Sequence, residues 1–65
     1  MTREQLMLLA RTLLRLKWLN QYNLNGISEE EVDLCLRTIY ETMGSEDIVT
    51  VVMEVHDECE TRRDY

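Results

Sequence analysis

Apolar residues recur along this chain at the spacing of a helix, in three runs separated by two breaks. At about 100° per residue, one face of a helix collects positions i, i+3, i+4 and i+7. In the first run Leu6, Leu9, Ala10, Leu13, Leu14 and Leu16 share one broad face, which Met7 and Trp18 extend. Leu8 and Leu19 fall on the opposite side, flanking Thr12 and Arg15. In the second run Val32, Cys35, Leu36, Ile39, Tyr40 and Met43 make one stripe, with only Leu34 on the far side. In the third, Ile48, Val51, Val52, Val55 and Cys59 make a comparable stripe.

Start and stop signals bound the three runs. Thr2-Arg3-Glu4-Gln5 fits a capping box, with Thr2 as N-cap and Gln5 reaching back to it. Asn20, Asn23, Asn25 and Gly26 tolerate left-handed backbone and end the first run. Ile27-Ser28-Glu29-Glu30-Glu31-Val32 combines a second capping box (Ser28, Glu31), a hydrophobic staple (Ile27 on Val32) and three acids for the positive end of the helix dipole. Gly44 stops the second run. Ser45 is then expected to cap the third, with Glu46 and Asp47 in its first turn and Arg62 and Arg63 in its last. The pattern predicts helices over 3–20, 29–43 and 46–62. Val49, Val51, Met53 and Val55 also alternate, as a strand would. Such a strand would have to pair across a homodimer, and the helical stripe running on to Cys59 favours a helix. The expected fold class is all-α: a small three-helix bundle, a single helical domain over 1–65, completed by oligomerisation.

The chain has 65 residues, 45% of them hydrophobic and 31% charged, which permits one small core and argues against disorder throughout. No apolar run approaches the ~20 residues that span a bilayer. The start Met-Thr-Arg-Glu-Gln does not read as a signal peptide. Two cysteines are too few for a disulfide-dense secreted scaffold. A soluble cytoplasmic protein with no membrane association is therefore expected.

Charge changes the picture, because it is unevenly spread. The formal net charge is −6, yet residues 1–20 hold Arg3, Arg11, Arg15 and Lys17 against Glu4 alone. Twelve of the thirteen acids fall after residue 20. A domain that binds DNA normally shows a basic balance, and here an acidic remainder would repel a polyanion. Nucleic acid is thus not the expected partner. A dimeric nucleic-acid-binding regulator using the basic first helix is the alternative reading.

Little chemistry is announced. His56 is the sole histidine, and His56 with Glu60 (i, i+4) or Cys59 (i, i+3) has the spacing of two ligands on one helical face. A second pair would have to come from elsewhere, so no metal is expected. An exposed histidine among acids is the commoner arrangement. Cys35 and Cys59 lie on apolar stripes and are expected to be buried, reduced thiols. A disulfide between the second and third helices is conceivable but unprompted by the compartment. No glycine-rich phosphate loop and no serine elbow is present, and no catalytic residue or cofactor is expected.

One feature exceeds what a small bundle needs: the first helix is apolar well beyond a single stripe. The expectation is a protein-interaction module, an adaptor or inhibitor of a larger protein, that works by surface occupation without catalysis and forms a homo-oligomer. Leu8, Arg11, Arg15, Trp18 and Leu19 are the expected contact residues. Trp is enriched at binding hot spots, and complementary charge steers encounter.

Overall fold

In the computed structural model the chain folds into three α-helices and one short 3₁₀ turn: α1 over Arg3–Trp18, the turn over Asn23–Asn25, α2 over Glu29–Thr42 and α3 over Ser45–Arg63. The structure describes residues 1–63. Asp64, Tyr65 and the side chain of Arg63, which the sequence placed in the last turn of α3, lie outside the described residues. Among the described residues there is no strand, so the valine-rich third segment is helical. No helix among the described residues is long and apolar enough to cross a membrane.

The ends of the helices follow the local chemistry of the sequence, with small differences. At the start of α1 the capping box closes: the Gln5 N–H donates to the Thr2 hydroxyl at 3.1 Å, and the Thr2 N–H donates to the Gln5 side-chain oxygen at 2.9 Å. The helix ends at Trp18 rather than residue 20. Asn20 adopts φ 54, the Gln21 N–H donates to the Leu16 carbonyl and the Asn20 N–H to the Lys17 carbonyl. That is a Schellman stop with asparagine in the left-handed position normally held by glycine. Gly26 takes the second left-handed residue, φ 71, and turns the chain into α2. Ser28 caps α2 through its hydroxyl, which accepts from the Glu31 N–H. Met43 leaves α2 with extended backbone. Ser45 is not the cap expected of it: it is the first residue of α3, and the Ile48 N–H bonds back to the Gly44 carbonyl.

The core is a single cluster of Ala10, Leu14, Val32, Leu36, Val51, Val55 and Cys59. α1 packs closely against both α2 and α3, which approach each other less closely. Ala10 has no exposed surface and is the smallest residue of the cluster, so it lets the backbones of the flanking helices come near. The molecule is flat, with extents of 32 × 25 × 15 Å. Its surface of 4802 Å² exceeds the roughly 4,400 Å² expected of a compact monomer of this mass.

Two burial expectations are corrected. Cys59 is buried as expected, but Cys35 is exposed. The buried axis of α2 runs along Val32 and Leu36, and Cys35 lies about 60–100° from it. Leu19, expected to be left over beside Leu8, packs partly against the core. It sits at the C-cap, directly before the left-handed Asn20 at which the chain leaves the helix.

Candidate functional site

The burial of α1 is the reverse of its composition. Of the seven leucines from Leu6 to Leu19, only Leu14 is buried. Leu6, Leu13, Leu16 and Leu19 are half-buried, while Leu8 and Leu9 keep 57% and 40% of their surface exposed. Ala10 and Leu14 define the inward direction. Gln5, Leu9, Thr12 and Leu16, spaced 4-3-4, lie on the side directly opposite. Leu8 flanks this strip on one side, and Leu6 and Leu13 flank it on the other.

The Gln5 side-chain oxygen and the Thr12 hydroxyl of the strip are already bonded within the chain. The Gln5 side-chain oxygen is held in the capping box. The Thr12 hydroxyl donates to the Leu8 carbonyl at 2.9 Å. A partner can therefore cover the strip without stranding these hydrogen-bonding groups, which is the usual obstacle to burying polar atoms.

The cations of α1 are drawn off the strip by the neighbouring helices. Arg3 pairs with Asp47 at 2.6 Å, Arg11 with Glu54 at 2.9 Å and Arg15 with Glu58 at 2.6 Å, all on α3. Lys17 pairs with Asp33 on α2. Arg3 and Arg15 each hold their carboxylate in two hydrogen bonds. The rising order of the three α3 partners shows that α1 and α3 run parallel. These bonds lower the pKa of Asp47 and Glu58 below the ordinary carboxylate range and raise those of Arg3 and Arg15. Exposed pairs each stabilise little; their larger consequence is to neutralise most of the positive charge that borders the outer face of α1.

Of the five expected contact residues, Leu8 is on the outer face, and Arg11 and Arg15 border it while engaged with α3. Trp18 points elsewhere: it packs partly against the core, with its ring edge-on to His56 at a centroid distance of 6.1 Å. Leu19, as described, also turns inward. The sequence reading missed Leu9 and Leu16, which it assigned to the inner face. The missed signal is Ala10, a small residue flanked by leucines, which marks where the backbones meet most closely.

Two further features complete the surface. An open groove is lined by Leu14 and Trp18 of α1, Leu36 and Tyr40 of α2 and Val52 of α3, with Lys17, Asp33, Arg37 and Glu41 on its rim. The Tyr40 hydroxyl is buried without a hydrogen-bond partner. Burial raises its pKa, and nearby Lys17 offsets part of the rise. On α3 the exposed His56 lies with Asp57 and Glu60, its Nε2 3.5 Å from the Glu60 carboxylate and its Nδ1 3.9 Å from that of Asp57. The two acids address different ring nitrogens, and Cys59 is turned into the core, so the His56/Cys59 ligand pairing suggested by the spacing does not form. No family model matches the chain, and neither does any curated protein or solved structure.

Proposed function

We propose that this chain is a helical protein-interaction module, an adaptor or inhibitor that occupies a surface of a larger protein and turns over no small molecule. The outer face of α1 is its contact surface. One observation carries the reading: four of the seven leucines between Leu6 and Leu19, namely Leu6, Leu8, Leu9 and Leu16, lie outside the core and the side chains packed on it, while the cations beside them are tied to acids of the same chain. Apolar surface of this kind supplies affinity once water is excluded from it. In the absence of its partner, the same face draws copies of the chain together. The complementary surface is an apolar ridge or groove, and the acids exposed around the module favour a partner with a basic rim.

The alternative, a nucleic-acid-binding regulator, has less support. Its basis was the basic first helix, and each of the four bases there is engaged by a carboxylate. Releasing an arginine to a phosphate would break a bidentate pair and leave an acid facing the polyanion. The test is binding to a random DNA duplex over a range of salt, beside capture of partners from the native cell. The expected result is negligible duplex binding at all salt concentrations and retention of a protein. Duplex binding that falls steeply with salt, with no protein retained, would overturn the proposal.

A further inference from the structure

We infer that the first occupant of the α1 face is a second copy of this chain, packed antiparallel about a two-fold axis that passes near Ala10 and Arg11. This inference rests on the reading of that face as a contact surface and names the partner.

The strip of Gln5, Leu9, Thr12 and Leu16 has the 4-3-4 spacing of a two-helix seam. It lies directly opposite the core, so α2 and α3 stand behind α1 and leave the approach open. Antiparallel packing about the midpoint of the strip sets Leu9 against Thr12 of the other copy, and Gln5 against its Leu16. A two-fold contact closes on itself and covers both strips at once.

Charge selects the direction. Glu4 and Arg15 lie on the same flank of α1, beside Leu8, at opposite ends of the strip. Glu4 is exposed, and among the described residues no ion pair is formed by it. Arg15 spends Nε and one terminal nitrogen on Glu58, which leaves the other terminal nitrogen to donate. In an antiparallel pair each flank meets its own counterpart reversed, so each Glu4 comes within a helical turn of the other copy's Arg15. A parallel pair would set this flank against the Leu6 and Leu13 flank of the other copy, leaving Glu4 and Arg15 without each other, and would align the two helix dipoles. On the opposite flank Leu6 extends the apolar contact, while Leu13 packs partly against the core and Lys17 is held by Asp33. α1 is only 16 residues long, or about 24 Å. Its contact is therefore smaller than the standard interface of about 1,600 Å², and dissociation in the micromolar range is expected.

The test uses the full chain with exposed Cys35 replaced by serine and buried Cys59 kept. Sedimentation velocity should show a species of twice 7.8 kDa by about 100 µM, dissociating on dilution. Orientation is read by oxidative cross-linking. A mixture of Gln5→Cys and Leu16→Cys chains should form a covalent heterodimer. Gln5→Cys alone should not cross-link, because its two thiols would stand about 16 Å apart along the axis. Efficient cross-linking of Gln5→Cys to itself, or a monomer at every concentration up to about 200 µM, would overturn the inference. A monomer would leave the contact-face reading standing, since loss of the partner protein in Leu9→Glu tests that separately.

Discussion

Leu14 and Leu8 are six residues apart on one helix and chemically identical, yet the structure gives them opposite roles. Leu14 keeps 5% of its surface exposed and touches the centre of the core, whereas Leu8 keeps 57%. Leu14→Ala removes buried methyl groups and leaves a cavity between three helices, which costs about 3 kcal/mol. A domain of this size has a total stability of about 3–10 kcal/mol, so the loss is a large share of it. At Leu8 less than half of a smaller transfer term is at stake, and alanine is the better helix former. Leu8→Ala should stay within about 0.5 kcal/mol of the parent chain. Urea unfolding followed by far-UV circular dichroism, at a concentration well below the dissociation constant expected of the dimer, reads the difference directly. With a urea slope of about 1 kcal/mol/M, Leu14→Ala should lower the midpoint by about 3 M or unfold the chain outright, while Leu8→Ala should barely move it. Equal destabilisation by the two substitutions would mean that α1 is rotated relative to the core described above, and the argument for an open leucine face would collapse.

Three further outcomes are expected. Tyr40→Phe should keep or raise stability, by up to about 1 kcal/mol, because it deletes a buried hydroxyl that has no partner; a clear loss of stability in thermal unfolding would show that the hydroxyl is bonded. Asp47 and Glu58 have pKa values lowered in the fold from 3.8 and 4.5 by the hydrogen bonds from Arg3 and Arg15, so the unfolded chain binds protons first as pH falls. Stability from these pairs should be fully present above about pH 5 and lost on further acidification, and Glu58→Gln should flatten that part of the melting-temperature profile; an unchanged profile would refute the pairing. In the folded protein one thiol, Cys35, should react rapidly with a disulfide reagent and Cys59 only on unfolding; two fast thiols or two protected ones would contradict the packing of α2 and α3.

Most of the fold was legible in the sequence. Thr2 and Gln5 spelled out the start of α1, Asn20 its stop, and Ser28 the start of α2. The 3.6-residue stripe through Val51, Val55 and Cys59 outweighed the alternation of Val49, Val51 and Met53, because the chain holds no strand partner for that segment. What was not legible was the rotation of each helix about its own axis. On α1 apolar residues cover most of the circumference, so periodicity alone could not choose the inner side, and Leu9 and Leu16 were placed on it. Cys35 was misplaced for a related reason: the inner arc of α2 is narrow. The ion pairs were equally hidden. Arg11 and Arg15 read as a free basic strip until α3 supplied Glu54 and Glu58 alongside, a contact between residues 43 positions apart.

The central claim is that the outer face of α1, and not another exposed apolar patch, is where this chain meets its partner. Met53 on α3 provides the control, since it is 61% exposed and lies on a different face. The most direct measurement compares partner binding by the parent chain, Leu9→Glu and Met53→Glu, after circular dichroism has confirmed that each variant folds. The account predicts that Met53→Glu binds as the parent does and that Leu9→Glu loses at least about 2 kcal/mol of affinity, a thirtyfold weakening. Binding retained by Leu9→Glu and lost by Met53→Glu would move the contact surface to α3 and contradict the account.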